Sequence, residues 1–79
     1  PERYGALVQS VLNDSPADLA GLRRGDLVVS AQNKDINNPE ILLEQVENAK
    51  IGFPFPVTVI RNNKEIELSL TPEELPEFN

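Results

Sequence analysis

The chain contains no cysteine, histidine, methionine or tryptophan in its 79 residues. Without cysteine there is no disulfide, no thiolate nucleophile and no cysteine-ligated zinc or iron–sulfur site. Without histidine, the usual general base at neutral pH and the commonest metal ligand are both missing. No apolar run approaches the ~20 residues that cross a bilayer, and no basic segment precedes an apolar stretch in the manner of a secretory leader. Any leader or anchor of the parent protein is therefore expected outside this segment, for which no membrane contact is expected. Positive charge is scarce: 7 Lys and Arg stand against 13 Asp and Glu, for a net charge of -6 and a pI near 4.4. Such a chain is repelled by nucleic acid and by anionic membrane surfaces. The basic doublet Arg23-Arg24 is read as a solvated turn.

Catalysis lacks its parts as well. Ser10, Ser15, Ser30 and Ser69 have no histidine to activate them, and nothing in the spacing of Lys34, Lys50 or Lys64 supports a Ser–Lys dyad. Glu73-Glu74 falls in a polar tail and reads as solvated, and no glycine-rich loop precedes a helix in phosphate-binding form. The expectation is a non-catalytic chain with no cofactor and no metal.

What is present suits one small globular domain over 1–79: 39% hydrophobic and 25% charged residues. A chain of this size buries only about 60% of its unfolded surface, enough for one modest core. Gly5 opens the run Ala6 to Leu12, a strand by length and β-branched content, which Asn13-Asp14 ends. Ser15-Pro16 starts a brief helix, with Ser as cap and Pro at the first position, and Gly21 ends it. Gly25-Asp26 turns into a second strand over Leu27–Gln32. Asn33-Lys34 is read as a tight turn, with Ile36 in a very short third strand.

Asn38-Pro39-Glu40 repeats the helix start, and the helix is expected to run to about Lys50, with Gly52 as its stop. Leu42, Val46 and Ala49 make its core-facing stripe at i, i+4, i+7. Ile41 and Leu43 widen that stripe beyond what one core contact requires. The last part is a hairpin closed by Asn62-Asn63. A two-residue loop pairs Val59 with Ile66, Val57 with Leu68 and Phe55 with Leu70 on one face, and Thr58 with Glu67 and Ile60 with Glu65 on the other. Pro72 stops the final strand, and 73–79 is an acidic, proline-containing tail. The fold class is α+β, mainly β: a small partly open barrel or sandwich of antiparallel strands with one short and one long helix, in the order β-α-β-β-α-β-β.

The segment Ser15-Pro16-Ala17-Asp18-Leu19-Ala20-Gly21-Leu22-Arg23-Arg24-Gly25-Asp26-Leu27-Val28 resembles the PDZ signature S-P-A-x-x-A-G-L-x-x-G-D-x-I/V. Gly5-Ala6-Leu7-Val8 is similar to the strand that precedes it in that family. Lys34 replaces the Gly that usually follows Asn33, a departure touching turn geometry. The resemblance covers about residues 5–72, and its motif residues are read as structural. The closing strand and the tail are most similar to the bacterial, circularly permuted PDZ domains of HtrA/Deg-type serine proteases, with site-2 metalloproteases and C-terminal processing proteases as related carriers.

That resemblance implies a module that binds the C-termini of unfolded or partner proteins by strand addition beside the long helix, for a protease domain on the same chain in a bacterial extracytoplasmic compartment such as the periplasm. On the helix, Leu43 and Glu47 are the candidates for the peptide side, with Glu40 and Lys50 at its ends; Val46 is assigned to both the stripe and this wall. The family's carboxylate-binding loop and its strand belong before Gly5, so this segment is expected to lack one wall of the groove. The other reading is structural, a domain that packs against protease domains or neighbouring subunits to set a homo-oligomer.

Overall fold

The computed structural model describes residues 4–73. Along the chain it places β1 (Ala6–Leu7), α1 (Pro16–Ala20), β2 (Leu27–Ala31), β3 (Lys34–Asp35), α2 (Pro39–Asn48), β4 (Phe55–Arg61) and β5 (Lys64–Leu70). The element order and the fold class agree with the expectation. All strands belong to one antiparallel sheet in the order β1-β2-β4-β5, with β3 also paired to β2.

The hairpin carries the largest share of the sheet, and its turn dictates the pairing. Asn62 and Asn63 take φ of 52° and 64°, the doubly left-handed pair of a type I′ turn. The register follows as expected, with Val59 opposite Ile66, Val57 opposite Leu68 and Phe55 opposite Leu70. Between β2 and β3 the same chemistry sits one residue earlier than Asn33-Lys34. Gln32 and Asn33 are the left-handed pair (φ 53° and 64°), and Lys34 already pairs with Ala31. Asn tolerates this backbone; Gln32 is held there because its side-chain amide donates to the carbonyl of Gln45 on α2 (3.0 Å).

Both helices begin where their caps say. The Ser15 hydroxyl accepts from the Asp18 amide and Asn38 Oδ1 from the Ile41 amide, each with Pro at the start of the helix. Gly21 exits α1 in the left-handed conformation (φ 96°). α2 ends sooner than expected: Ala49 is already extended (ψ 148°), so Lys50 lies beyond the helix and Gly52 turns the loop that follows. The first strand is also shorter than the run Ala6 to Leu12 suggested. After Leu7 only Val8 keeps its ties to the 25–26 turn. Leu12, 79% exposed, has no face to cover.

The core is built from alternate strand residues, chiefly Val28, Ala31, Phe55, Val57, Val59 and Leu70, with Ala6 and Ile36. Ile41, Leu42 and Ala49 of the α2 segment pack against it, and α1 lies on β5. Val46 does not belong to that layer. At about 100° per residue, Ile41, Leu42, Gln45 and Ala49 share one face and Val46 falls at its margin, 38% exposed. Gly5 is dictated by close approach: a Cβ there would collide with the Val28 carbonyl oxygen.

Candidate functional site

Two surfaces meet where α2 lies against β1 and β2. The first is an unpaired strand edge. Val8 donates to the Asp26 carbonyl (2.8 Å) and accepts from the Gly25 amide (2.8 Å), so its peptide groups face β2. Successive residues of an antiparallel ladder point to opposite edges. The amide and carbonyl of Leu7 therefore face outward, toward an edge that pairs with no strand among the described residues. The Leu7 side chain is 57% exposed.

The second surface is the uncovered flank of α2. Going round the helix from its packed face come Val46, then Leu43, 59% exposed, then the exposed carboxylates of Glu47, Glu40 and Glu44. Of the five residues expected on the peptide side, the helix brings Glu40, Leu43, Val46 and Glu47 onto one continuous flank. Lys50 stands apart, in the loop after the helix.

What ties α1 to the strands is a polar cluster whose partner the sequence motif does not name. Asp26 is 1% exposed. Its carboxylate accepts from Arg61 Nε (2.8 Å), from an Arg61 terminal nitrogen (2.7 Å) and from the Arg23 amide (2.9 Å), and Arg61 also donates to the Gly21 carbonyl (2.8 Å). This two-pronged geometry joins the exit of α1, the start of β2 and the end of β4. The hydrogen bonding from Arg61 is the main force lowering the Asp26 pKa below its usual value; burial opposes it and the Arg23 amide assists it. The same pairing raises Arg61. The signature's Gly21 and Asp26 thus act on the fold, as expected. Arg61 was missed; the only hint was a cation closing an otherwise mostly apolar strand.

Elsewhere the surface offers little chemistry. Among the described residues no group of His, Cys, Asp and Glu is arranged to hold a metal ion, and no helix is long and apolar enough to cross a membrane. The depressions are shallow: one of about 250 Å³ between Pro54 and Leu68, and one of about 190 Å³ between α1 and Thr71. Both are below the ~300–1,000 Å³ of small-molecule sites, and neither touches α2.

An open strand edge beside an uncovered apolar helix flank is the layout of strand-addition modules, and the PDZ domain family model matches residues 1–71. The chain belongs to the PDZ domain family. This PDZ domain is 35% identical over 75 residues, 95% of its length, to the serine endoprotease DegS of Escherichia coli, of which it spans 21%. It is 33% identical over 73 residues, 92% of its length, to a probable periplasmic serine endoprotease, DegP-like, of Chlamydia trachomatis, of which it spans 15%. Among solved structures it resembles the HtrA3 PDZ domain bound to a phage-derived ligand, FGRWV, with a TM-score of 0.75 and 28% identity over 85% of this chain and 62% of that one. In these HtrA/Deg proteases the PDZ domain is the non-catalytic part of a larger chain.

Proposed function

We propose that this PDZ domain captures the free C-termini of unfolded or partner proteins and presents them to an HtrA/Deg-type serine protease domain on the same chain, in an extracytoplasmic compartment such as the periplasm. The carrying observation is the outer edge of β1, which pairs with no strand among the described residues, in a sheet on which α2 packs with its Leu43–Val46 flank exposed. A strand preceding Gly5 in the parent occupies that edge and brings the loop whose amides hold the terminal carboxylate. The peptide then lies between this strand and α2, its backbone paired along the strand and its apolar last side chain against Leu43 and Val46. Two findings support the reading: the DegS and DegP-like relatives are endoproteases, and the ligand of the HtrA3 PDZ domain ends in an apolar Val.

A free-carboxylate peptide and its amide, titrated into this chain and into one extended by the parent's preceding residues, test it. The extended chain is expected to bind the free peptide and lose the amide, with the shorter chain weaker. Equal affinity for the amide, or no binding by the extended chain, would refute it. Packing within a homo-oligomer is the second reading, favoured by Leu19 on α1 and by Ile51 and Phe53 in the loop after α2, all exposed.

A further inference from the structure

We infer that the ligand of this domain is a cationic C-terminal peptide: an apolar last residue preceded within about three residues by Lys or Arg, selected by the carboxylates along α2. The inference rests on the peptide-capture reading above and adds the chemistry of the bound sequence.

The apolar strip is bordered unevenly. On its inner side Val46 runs into the packed face of α2. On its outer side Leu43 runs into Glu47, Glu40 and Glu44, all exposed. The helix has no basic residue in its last turn. The ion pair formed among the described residues is Arg61 with Asp26, so none of the three glutamates is neutralised by a described residue. Glu40 and Glu47 are seven residues apart, ~10 Å along a helix rising ~1.5 Å per residue. An extended peptide rises ~3.3 Å per residue, so about three of its residues pass from Glu40 to Glu47 while an apolar side chain rests on Leu43. Lys and Arg suit that border: their methylene stems cover apolar surface while their charged ends reach the outer face of the helix. An acidic side chain in the same stretch meets the like charges of Glu40 and Glu47, and the -6 net charge of the domain disfavours its approach.

Three free-carboxylate peptides, Ala-Ala-Lys-Lys-Val, Ala-Ala-Gln-Gln-Val and Ala-Ala-Glu-Glu-Val, titrated calorimetrically into the extended chain, test this. In strand geometry one of the two variable residues faces the helix and the other faces away, so the series does not depend on which. The Lys peptide is expected to bind about tenfold tighter than the Glu peptide at low salt. The ratio should shrink to less than about threefold near 1 M salt, where the screening length is ~3 Å. Glu40→Gln, Glu44→Gln and Glu47→Gln together should bring the Lys peptide to the affinity of the Gln peptide. Equal affinities across the series overturn the inference and leave peptide capture standing. A Lys preference that survives the triple substitution overturns its assignment to α2. No binding by any of the three overturns the capture reading and the inference together.

Discussion

Removing the Asp26 carboxylate is the sharpest test of what holds this domain together. In Asp26→Ala the Arg61 guanidinium loses both of its hydrogen bonds to the carboxylate and keeps only the Gly21 carbonyl, while the Arg23 amide loses its acceptor. Breaking a buried ion pair by deleting one partner costs about 3–5 kcal/mol. The Arg61 side chain is 22% exposed and partly rehydrates, which brings the expectation to about 2–4 kcal/mol. At ~0.05–0.15 kcal/mol per residue, a chain of 79 residues holds about 4–12 kcal/mol in all. The substitution therefore removes a large fraction. With a urea m-value of ~1 kcal/mol/M for a small domain, the midpoint should fall by about 2–4 M. A cycle with Arg61→Met separates the pair from general damage: the double variant should lose less than the sum of the two, by about 1.5 kcal/mol or more. The pH dependence carries the same sign. Because Arg61 lowers the folded-state pKa of Asp26, the contribution is present above about pH 4 and fades as pH falls through the depressed value. Asp26→Ala should lack that part of the acid limb. A loss below about 0.5 kcal/mol, with an unchanged acid limb, would refute the reasoning.

Other substitutions divide by what each side chain touches. Leu42→Ala, packed on the core, should cost about 2–3 kcal/mol in urea unfolding, whereas Leu43→Ala and Val46→Ala should each cost under about 1 kcal/mol; equal losses would mean the helix faces are misassigned. Gly5→Ala pushes a methyl into the Val28 carbonyl and should cost at least ~1–2 kcal/mol, with hydrogen exchange of the Val8 amide accelerated; an unchanged exchange rate would exclude the close approach. Asn63→Gly meets the left-handed φ of 64° without a Cβ and should raise the melting temperature by a few degrees; a drop would argue against the type I′ turn.

Most of the fold is legible from local chemistry. The Asn62-Asn63 turn, the period-2 alternation of β4 and β5 and the Ser15 and Asn38 caps each have a short-range cause, and each is found where the sequence places it. The misplacements occur where a distant contact decides. Gln32 takes up a left-handed backbone because α2 lies within reach of its side chain, which moves the turn one residue earlier. Val46 follows the i, i+4 rule from Leu42 yet sits at the margin of the buried face, because Ile41 and Gln45 shift the centre of that face away from it. Arg61 and Asp26 are 35 residues apart, and no spacing rule joins them. The candidate helix flank is readable from periodicity, which groups Leu43 with Glu40 and Glu47. The open edge of β1 appears only when the strands are ordered in the sheet.

A free C-terminus bound along the Leu43–Val46 flank of α2 should perturb the amides of that flank. Amide chemical shifts of the extended chain, followed by NMR as a free-carboxylate peptide ending in Val is added, test it most directly. The largest changes are expected at Leu43, Val46 and Glu47, lost when the peptide is amidated. Changes centred on Ile51 and Phe53 or on the α1–β5 side, or changes of equal size with the amide, would contradict it.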